Sequence, residues 1–271
     1  MSTIDTVAHE HFHDPVAAYD RLAAHYSDLS RRRELYLRTV EHEITSRIPK
    51  PSRSLLDVGA GDGTRALHIA AQSGIERIVL VEPSKRMAAG SVDRAEVWTV
   101  RAEDLVSRCF PSAEGNHWVC GPDEDVGPYA ISERFDVITC LWNVLGHIPS
   151  GKKRQLAFSA IARHLAPHGR FFLDVNHRYN LRSYGVLPTG ARWIHDLFSR
   201  GDNSGDVLAQ WETLEVSIST YGHVFTHGEI MRLASTAGLQ LEERVVIDYE
   251  SGRKRRFAFQ GSLLYIFRRS S

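Results

Sequence analysis

The chain has 271 residues, of which 42% are hydrophobic and 24% are charged, as in ordinary globular proteins with one large domain. Lys plus Arg and Asp plus Glu each number 33, so the chain has no net charge to attract nucleic-acid phosphates or anionic membranes over long range. The three cysteines form no Cys-x-x-Cys pair, which disfavours a disulfide framework or a zinc site.

The N-terminal segment is polar, without the basic start and apolar core of a signal peptide. No apolar run is as long as a membrane span, so we expect a cytoplasmic protein without a membrane partner. Three histidines alternate in this segment, which we interpret as a frayed terminus rather than a metal site: His9, His11 and His13. Helical spacing of apolar residues from Pro15 to about Ile48 then predicts two helices, broken near Asp28 to Ser30. We therefore predict a helical extension over residues 1–50 and a main domain over 51–271.

Short apolar runs alternate with helical segments after Pro51. The runs predict five buried strands: Leu55–Val58, Ile78–Val81, Val97–Val100, Phe135–Cys140 and Arg170–Val175. Helical periodicity lies between them at Thr64–Gln72 and Leu156–Leu165. This alternation predicts an α/β fold with a doubly wound, mostly parallel sheet.

Two stretches interrupt the alternation. Residues 110–134 predict a surface excursion, and residues 180–204 are irregular but rich in aromatic side chains. We expect an insertion after the fifth strand, over about 177–207, that covers the pocket, with ordinary packing as the alternative. The remaining predicted elements are one helix and three strands: Leu208–Thr220 (strand), Thr226–Ala237 (helix), Val245–Tyr249 and Ser262–Phe267 (strands).

The sharpest motif is Leu55–Thr64, in which an apolar strand runs into three glycines and then a helix. Glycines at such a turn allow tight backbone geometry and let a ligand approach the main chain. Their Gly-x-Gly-x-Gly spacing differs from the Gly-x-Gly-x-x-Gly of dinucleotide-binding proteins. The spacing therefore disfavours a nicotinamide cofactor.

Acidic residues follow the next two predicted strands. Glu82, after the second strand, is placed to accept hydrogen bonds from both hydroxyls of a ribose. Ala102–Asp104, after the third strand, offers a backbone amide and carboxylates to the edge of an adenine ring, with a routine polar loop as the alternative. Because parallel strands end at one edge of a sheet, these features predict a single nucleotide-like site.

Together these motifs resemble those of class I, Rossmann-like S-adenosylmethionine-dependent methyltransferases, over about Leu55 to Val175. The resemblance implies a seven-stranded sheet with an antiparallel last strand and S-adenosylmethionine as the cofactor. In that family, the acidic residue at the end of the first strand, here Asp57, orders the glycine loop or the methionine end of the cofactor. The cofactor-binding residues that we expect are Asp57, Gly59, Ala60, Gly61, Glu82, Pro83, Met87, Ala102, Glu103, Asp104 and Leu141.

The segment after the fourth strand, Leu141–Pro149, resembles the Leu-Gly-Asn-Ser-Phe-x-His-Leu segment of glycine N-methyltransferases. The resemblance implies that Asn143 orients the acceptor and that His147 lies near it. Trp142 stands where that family has glycine. Packing of His147 against the local helix is the alternative.

The segment after the fifth strand, Asn176–Asn180, resembles the His-Arg-Asn-Tyr segment of the same family, whose arginine binds the substrate carboxylate. Alignment on Tyr179 places His177 opposite that arginine, and a one-residue shift places Arg178 there. An arginine suits an anionic small molecule, and a solvated loop arginine is the alternative. We expect an acceptor site formed by four residues: Trp142, Asn143, Asn176 and Arg178. The candidate general bases are His147, His177 and Tyr179.

The predicted function is methyl transfer to a nitrogen or oxygen of a small molecule. The sequence lacks the Asn/Asp-Pro-Pro-aromatic and Pro-Cys motifs of base-modifying enzymes, which disfavours nucleic acid. Two basic clusters, Arg31–Arg33 and Arg253–Arg256, leave an RNA or protein methyltransferase as the alternative. A non-catalytic S-adenosylmethionine-binding protein is a further alternative, and homo-oligomerisation is left open.

Overall fold

The computed structural model describes residues 14–105, 109–111, 118–120, 133–198, 201–212 and 217–270. The histidine-bearing terminus and most of the predicted excursion over 110–134 lie outside these residues. Within the described ranges, no helix has the length and apolar character needed to cross a membrane.

Three helices, rather than the predicted two, precede the sheet: α1 (Pro15–Leu22), α2 (Tyr26–Arg31) and α3 (Glu34–Thr45). Proline at the first position of α1 is favourable because its missing N–H has no helical partner there. A single 3₁₀ turn, Ala23–His25, separates α1 from α2. Helix α3 buries one apolar face, including Tyr36 and Ile44.

The remaining described residues form twelve strands and six further helices. In chain order the strands are β1 (Ser54–Val58), β2 (Arg77–Val81), β3 (Glu96–Thr99), β4 (Cys109–Pro111), β5 (Trp118–Cys120), β6 (Phe135–Cys140), β7 (Leu165–Val175), β8 (Asp206–Glu212), β9 (Ser217–His223), β10 (Leu239–Ile247), β11 (Lys254–Arg255) and β12 (Ser262–Arg269). The helices are α4 (Thr64–Ser73), α5 (Lys85–Ala88), α6 (Gly151–His164), α7 (Leu181–Tyr184), α8 (Val186–Phe198) and α9 (His227–Thr236).

Ten strands form one sheet in the order β11-β10-β12-β7-β6-β1-β2-β3-β5-β4. Strands β1, β2, β3, β6 and β7 are mutually parallel, and β12 lies antiparallel between β7 and β10. The sheet has ten strands rather than the expected seven, because three strands of two or three residues extend its edges beyond the seven strands from β10 to β3. The expected antiparallel last strand is present as β12. The predicted doubly wound, mostly parallel α/β fold is therefore confirmed.

The region after β7 differs from its prediction in two ways. Residues 180–204 were expected to be irregular but contain α7 and α8. Pro188 and Gly190 lower the helix propensity of α8, but Pro188 lies in the first turn, where proline is tolerated. The single strand predicted over Leu208–Thr220 is instead two strands, β8 and β9, that pair with each other in a separate antiparallel sheet.

Candidate active site

The glycine turn after β1 forms one wall of a cavity. Gly59, Gly61 and Gly63 have φ values of 73°, 59° and 72°, which side chains rarely adopt. A Cβ atom built on Gly61 would lie 3.3 Å from both Met87 Cε and Tyr26 Oη, and all three residues line the cavity. Glycine at this position therefore keeps cavity space open.

Glu82 joins the glycine turn to the end of β2. Its two carboxylate oxygens accept hydrogen bonds from the backbone N–H groups of Gly61 and Ser84, each at 2.8 Å. Burial raises the pKa of Glu82 to about 7, and these hydrogen bonds oppose the rise. A carboxylate has about four lone-pair sites, so Glu82 keeps acceptor capacity for a ligand in the cavity that it lines.

Asp57 lies beneath the turn and is only 4% exposed. Its carboxylate accepts a hydrogen bond from Thr139 Oγ1 at 2.6 Å, which connects β1 to β6. Burial raises its pKa to about 6, while the Thr139 bond lowers it. Its contact with Thr139 supports the strand that carries the glycine turn.

Helix α1 also lines the cavity, through Pro15, Val16 and Tyr19. Its preceding residue, Asp14, accepts hydrogen bonds from Arg101 Nη2 at 2.9 Å on both oxygens. Near its other end, Asp20 accepts a hydrogen bond from Ser84 Oγ. These two contacts connect α1 to the segments that follow β3 and β2, respectively.

The cavity and its mouth together contain about 790 Å³ of space outside protein atoms, part of which is open to solvent. Ten predicted site residues line it: Gly59, Gly61, Glu82, Pro83, Met87, Ala102, Glu103, Leu141, Trp142 and His147. Tyr19 and Tyr26 also line it, although neither is predicted as a site residue. The helical period places Tyr19 on the apolar face of the first helix, but nothing local indicates which cavity that face contacts. Three predicted cofactor residues, Asp57, Ala60 and Asp104, are absent from the described lining of the cavity.

The turn after β6 adopts a strained backbone. Trp142 and Asn143 have φ values of 54° and 60°, and for a bulky residue such as tryptophan this conformation is an outlier. The backbone N–H of Trp142 donates to Asp174 Oδ2 at 3.0 Å. The backbone N–H of Asn143 donates to the main-chain carbonyl oxygen of Asp174 at 3.1 Å. The Trp142 indole N–H donates to Tyr249 Oη at 2.8 Å. Trp142 thus adopts a conformation that the glycine of the resembling family would adopt freely.

The side chain of Asn143 is buried and does not belong to the described lining of the cavity. Its amide donates to the carbonyl of His223 at 3.2 Å, and its Oδ1 accepts from the backbone N–H of Asn176 at 3.0 Å. Asn176 in turn accepts a hydrogen bond from Ser262 Oγ at 3.2 Å. These two predicted acceptor residues connect the ends of β6, β7 and β9.

Two predicted residues after β7 contact Asp196 of α8. Arg178 makes two contacts with its carboxylate, from Nε at 2.9 Å and from Nη2 at 3.1 Å, and both side chains are largely buried. Tyr179 Oη donates to the same carboxylate at 2.6 Å. Arg178 and Tyr179 line a second cavity, of about 1000 Å³, together with residues of α8 and α9.

His177 is buried beside a third, largely apolar groove of about 770 Å³. Its Nδ1 atom has no hydrogen-bond partner among the described residues. Burial lowers its pKa to about 4. Of the three candidate bases, His147 is the one that the structure places with the predicted cofactor residues.

The chain is similar to known methyltransferases. A family model described as a methyltransferase domain matches residues 29–244. The glycine N-methyltransferase of Rattus norvegicus is 25% identical over 175 residues, which are 60% of this chain and 54% of that protein. The chain thus spans about half the length of this curated relative.

Solved structures of S-adenosylmethionine-dependent methyltransferases share the fold. One from Clostridium acetobutylicum has a TM-score of 0.57 at 14% identity, covering 93% of this chain and 99% of its own. A sugar N-methyltransferase from Streptoalloteichus has a TM-score of 0.56 at 16% identity, covering 100% and 99%. An amino pentose methyltransferase from Micromonospora echinaspora has a TM-score of 0.53 at 16% identity, covering 97% and 100%. The chain therefore belongs to the methyltransferase-domain family and has the class I, S-adenosylmethionine-dependent methyltransferase fold.

Proposed function

We propose that the protein transfers the methyl group of S-adenosylmethionine to a small-molecule acceptor, with an amine nitrogen as the favoured target and a hydroxyl oxygen as the second. One observation carries the proposal: a single cavity is lined by eight of the eleven predicted cofactor residues and by Trp142 and His147 of the predicted acceptor segment. Both reactants would then share one cavity.

The cavity residues fit the cofactor. Gly61 leaves open the space that a Cβ would fill, and Glu82 offers carboxylate oxygens to vicinal hydroxyls. Ala102 and Glu103, after β3, suit an adenine edge, and Met87 and Leu141 supply apolar contacts. When bound, S-adenosylmethionine supplies a sulfonium-activated methyl group, whose C–S bonding electrons leave to sulfur as the acceptor lone pair forms the new bond.

The protein's own contribution is orientation, exclusion of water and proton removal. Orientation of two bound reactants supplies about 7–11 kcal/mol of barrier reduction in favourable cases. The aromatic side chains of Tyr19, Tyr26 and Trp142 provide an apolar wall. His147 is the proposed general base, because burial lowers its pKa below the usual value and keeps the imidazole neutral near pH 7.

Two similar proteins support nitrogen as the target, since their names describe a glycine N-methyltransferase and a sugar N-methyltransferase. A third is named as an amino pentose methyltransferase, whose substrate carries an amine. Arg178, whose guanidinium is paired with Asp196, remains a candidate for binding an anionic acceptor only if that pair opens. We therefore favour an acceptor recognised without a carboxylate. The cytoplasm remains the proposed location.

The test is calorimetry with S-adenosylmethionine and S-adenosylhomocysteine, followed by methyl-transfer assays with matched acceptors. D-glucosamine and D-glucose differ at one amine, so methylation of the first alone supports nitrogen transfer. Glycine adds an acceptor with a carboxylate. Folded protein that binds no cofactor would overturn the proposal, and turnover restricted to bulk RNA or protein would establish the macromolecular alternative. Binding without any turnover would indicate a non-catalytic protein.

A further inference from the structure

A tyrosine and a histidine from distant parts of the chain meet inside the cavity. Tyr19 of α1 and His147, which ends the 3₁₀ turn Val144–His147, are joined by a 2.9 Å contact between Oη and Nε2. Their rings meet edge to face at a centroid separation of 5.3 Å. Both residues line the cavity that the proposed function assigns to cofactor and acceptor.

The surroundings fix the direction of this hydrogen bond. His147 Nδ1 lies 2.9 Å from the backbone carbonyl oxygen of Tyr221, and a carbonyl oxygen only accepts. Nδ1 must therefore carry the proton, so Nε2 of the neutral ring carries a lone pair. Tyr19 Oη then donates its hydrogen to Nε2. The lone pair of the proposed base is occupied by a tyrosine rather than facing an acceptor.

The carbonyl that fixes His147 is itself held firmly. The Tyr221 hydroxyl accepts from the fully buried Arg154 at 3.0 Å and donates to Asp206 at 2.6 Å. Arg154 also donates to the carbonyl of Ile148, one residue after His147, at 3.1 Å. The segment bearing His147 and the strand bearing Tyr221 are thereby connected through one guanidinium.

We propose that Tyr19 is a catalytic residue that takes the proton from the bound acceptor while passing its own proton to His147. The inference rests on the proposed function. An ammonium acceptor has no free lone pair, so its N–H bond must break first, leaving that electron pair on nitrogen to form the N–C bond. The acceptor proton moves to Tyr19 Oη, the Tyr19 proton moves to His147 Nε2, and the resulting imidazolium keeps its Nδ1–H bond to Tyr221. Tyr19 ends unchanged, and the imidazolium later releases its proton to water.

Tyr19 needs His147 for this role. Burial and the nearby charge of Glu82 raise the pKa of Tyr19, so a lone phenolate is costly and the two proton movements must be coupled. Among the described residues, the other titratable groups that line the cavity or interact with the pair are two charged side chains and two tyrosines. Arg101 is paired with Asp14 and Glu103 with Lys153, and the tyrosines are Tyr26 of α2 and Tyr249 after β10. Because Glu82 also titrates near neutrality, pH profiles are compared between variants rather than interpreted singly.

The decisive variant is Tyr19→Phe, which removes only the hydroxyl. Its matched control is Tyr265→Phe, which removes a tyrosine hydroxyl 3.2 Å from His227 Nδ1, outside the cavity. We expect Tyr19→Phe to lower the single-turnover rate with D-glucosamine by about 10²–10⁴-fold near pH 7, the usual contribution of general acid–base catalysis. The deficit should shrink above the pKa of the free amine, which then binds without its extra proton. Tyr265→Phe should change the rate by less than about threefold, in contrast to that catalytic contribution.

A second readout is independent of turnover. ¹⁵N NMR of the imidazole should show His147 protonated at Nδ1 in the wild type, with an Nε2 resonance that shifts in Tyr19→Phe and not in Tyr265→Phe. A rate deficit that is equal at every pH, an unimpaired Tyr19→Phe, or an Nε2-protonated His147 would each overturn the relay while leaving the proposed function intact. A wild type that binds cofactor but methylates neither an amine nor a hydroxyl would overturn both.

Discussion

The carboxyl edge of the sheet contains two regions in which charged residues are used differently. After β1, β2 and β3, the carboxylate of Glu82 is hydrogen bonded to backbone amides and lines a cavity. After β7, the guanidinium of Arg178 is paired with the carboxylate of Asp196, and Tyr179 donates to the same group. Both regions contain polar residues at strand ends, where α/β proteins bind ligands.

The difference shows that position at a strand end is not sufficient to predict a binding residue. Glu82 retains acceptor capacity toward the cavity because its partners are two single N–H donors. Arg178 directs two of its five N–H donors at one largely buried carboxylate, and this pairing neutralises the charge that would attract an anionic acceptor. We therefore expect substitutions near β2 to change ligand affinity and substitutions near β7 to change stability.

The largest effect that we expect is a loss of folding stability in Arg178→Ala. The substitution leaves Asp196, whose side chain is only 13% exposed, without its cation, and breaking a buried pair costs about 3–5 kcal/mol. Denaturant unfolding should show this loss, while calorimetry should show S-adenosylhomocysteine affinity nearly unchanged. Arg31→Ala is the control, because the Arg31–Asp28 pair is 71% and 60% exposed and should contribute less than about 1 kcal/mol. A stable Arg178→Ala protein that fails only with anionic acceptors would instead support the acceptor-binding role.

The next effect concerns Gly61→Val, which should weaken cofactor binding at least 100-fold, or about 2.7 kcal/mol. The added side chain enters the cavity, since its Cβ would lie 3.3 Å from Met87 Cε. Gly74→Val is the matched control: Gly74 has a φ of 70°, yet its Cβ would meet no atom within 4 Å. Both variants should lose folding stability through backbone strain, and only Gly61→Val should lose affinity by calorimetry. Equal affinity losses would show that strain, not occupied space, is responsible.

The smallest effect that we expect is a pH dependence of folding stability caused by the ionisation of Glu82. Its folded-state pKa of about 7 lies above the ordinary value of 4.5, so its stabilising contribution is fully present below pH 4.5 and is lost as pH rises through 7. The free energy of unfolding of the wild type relative to Glu82→Gln should therefore fall by about 2–3 kcal/mol between pH 5 and pH 8. Taking the difference cancels buried acids that do not interact with Glu82, such as Asp174. A flat difference would show that Glu82 ionises normally in the empty cavity.

Features that depend only on residues adjacent in the sequence could be predicted from the sequence. The glycine turn and Glu82 follow from apolar runs that end in glycine or a carboxylate, and both predicted strands are present in the structure. Helix α8 was missed because Pro188 and Gly190 resemble loop residues. The separation of β8 from β9 was missed because residues 213–216, Thr-Leu-Glu-Val, contain none of the usual turn formers.

Long-range pairing accounts for what could not be predicted at the site. The Tyr19–His147 contact joins residues 128 positions apart, and periodicity indicates only that Tyr19 lies on a buried face. The Arg178–Asp196 pair depends on the packing of a helix that the sequence did not predict. Resemblance supplied the expected roles of residues, but their hydrogen-bond partners follow only from the folded chain.

Part of the cavity wall is formed by α1 and by the first residue of α2, ahead of the region that the family model matches. The family match begins at residue 29, whereas Pro15, Val16, Tyr19 and Tyr26 line the cavity ahead of that boundary. A fragment that begins at residue 29 would keep the glycine turn and lose the four cavity-lining residues that precede the matched region. Relatives that share the matched core but carry different leading helices can therefore differ in what they methylate, and acceptor preference should be sought in those opening residues.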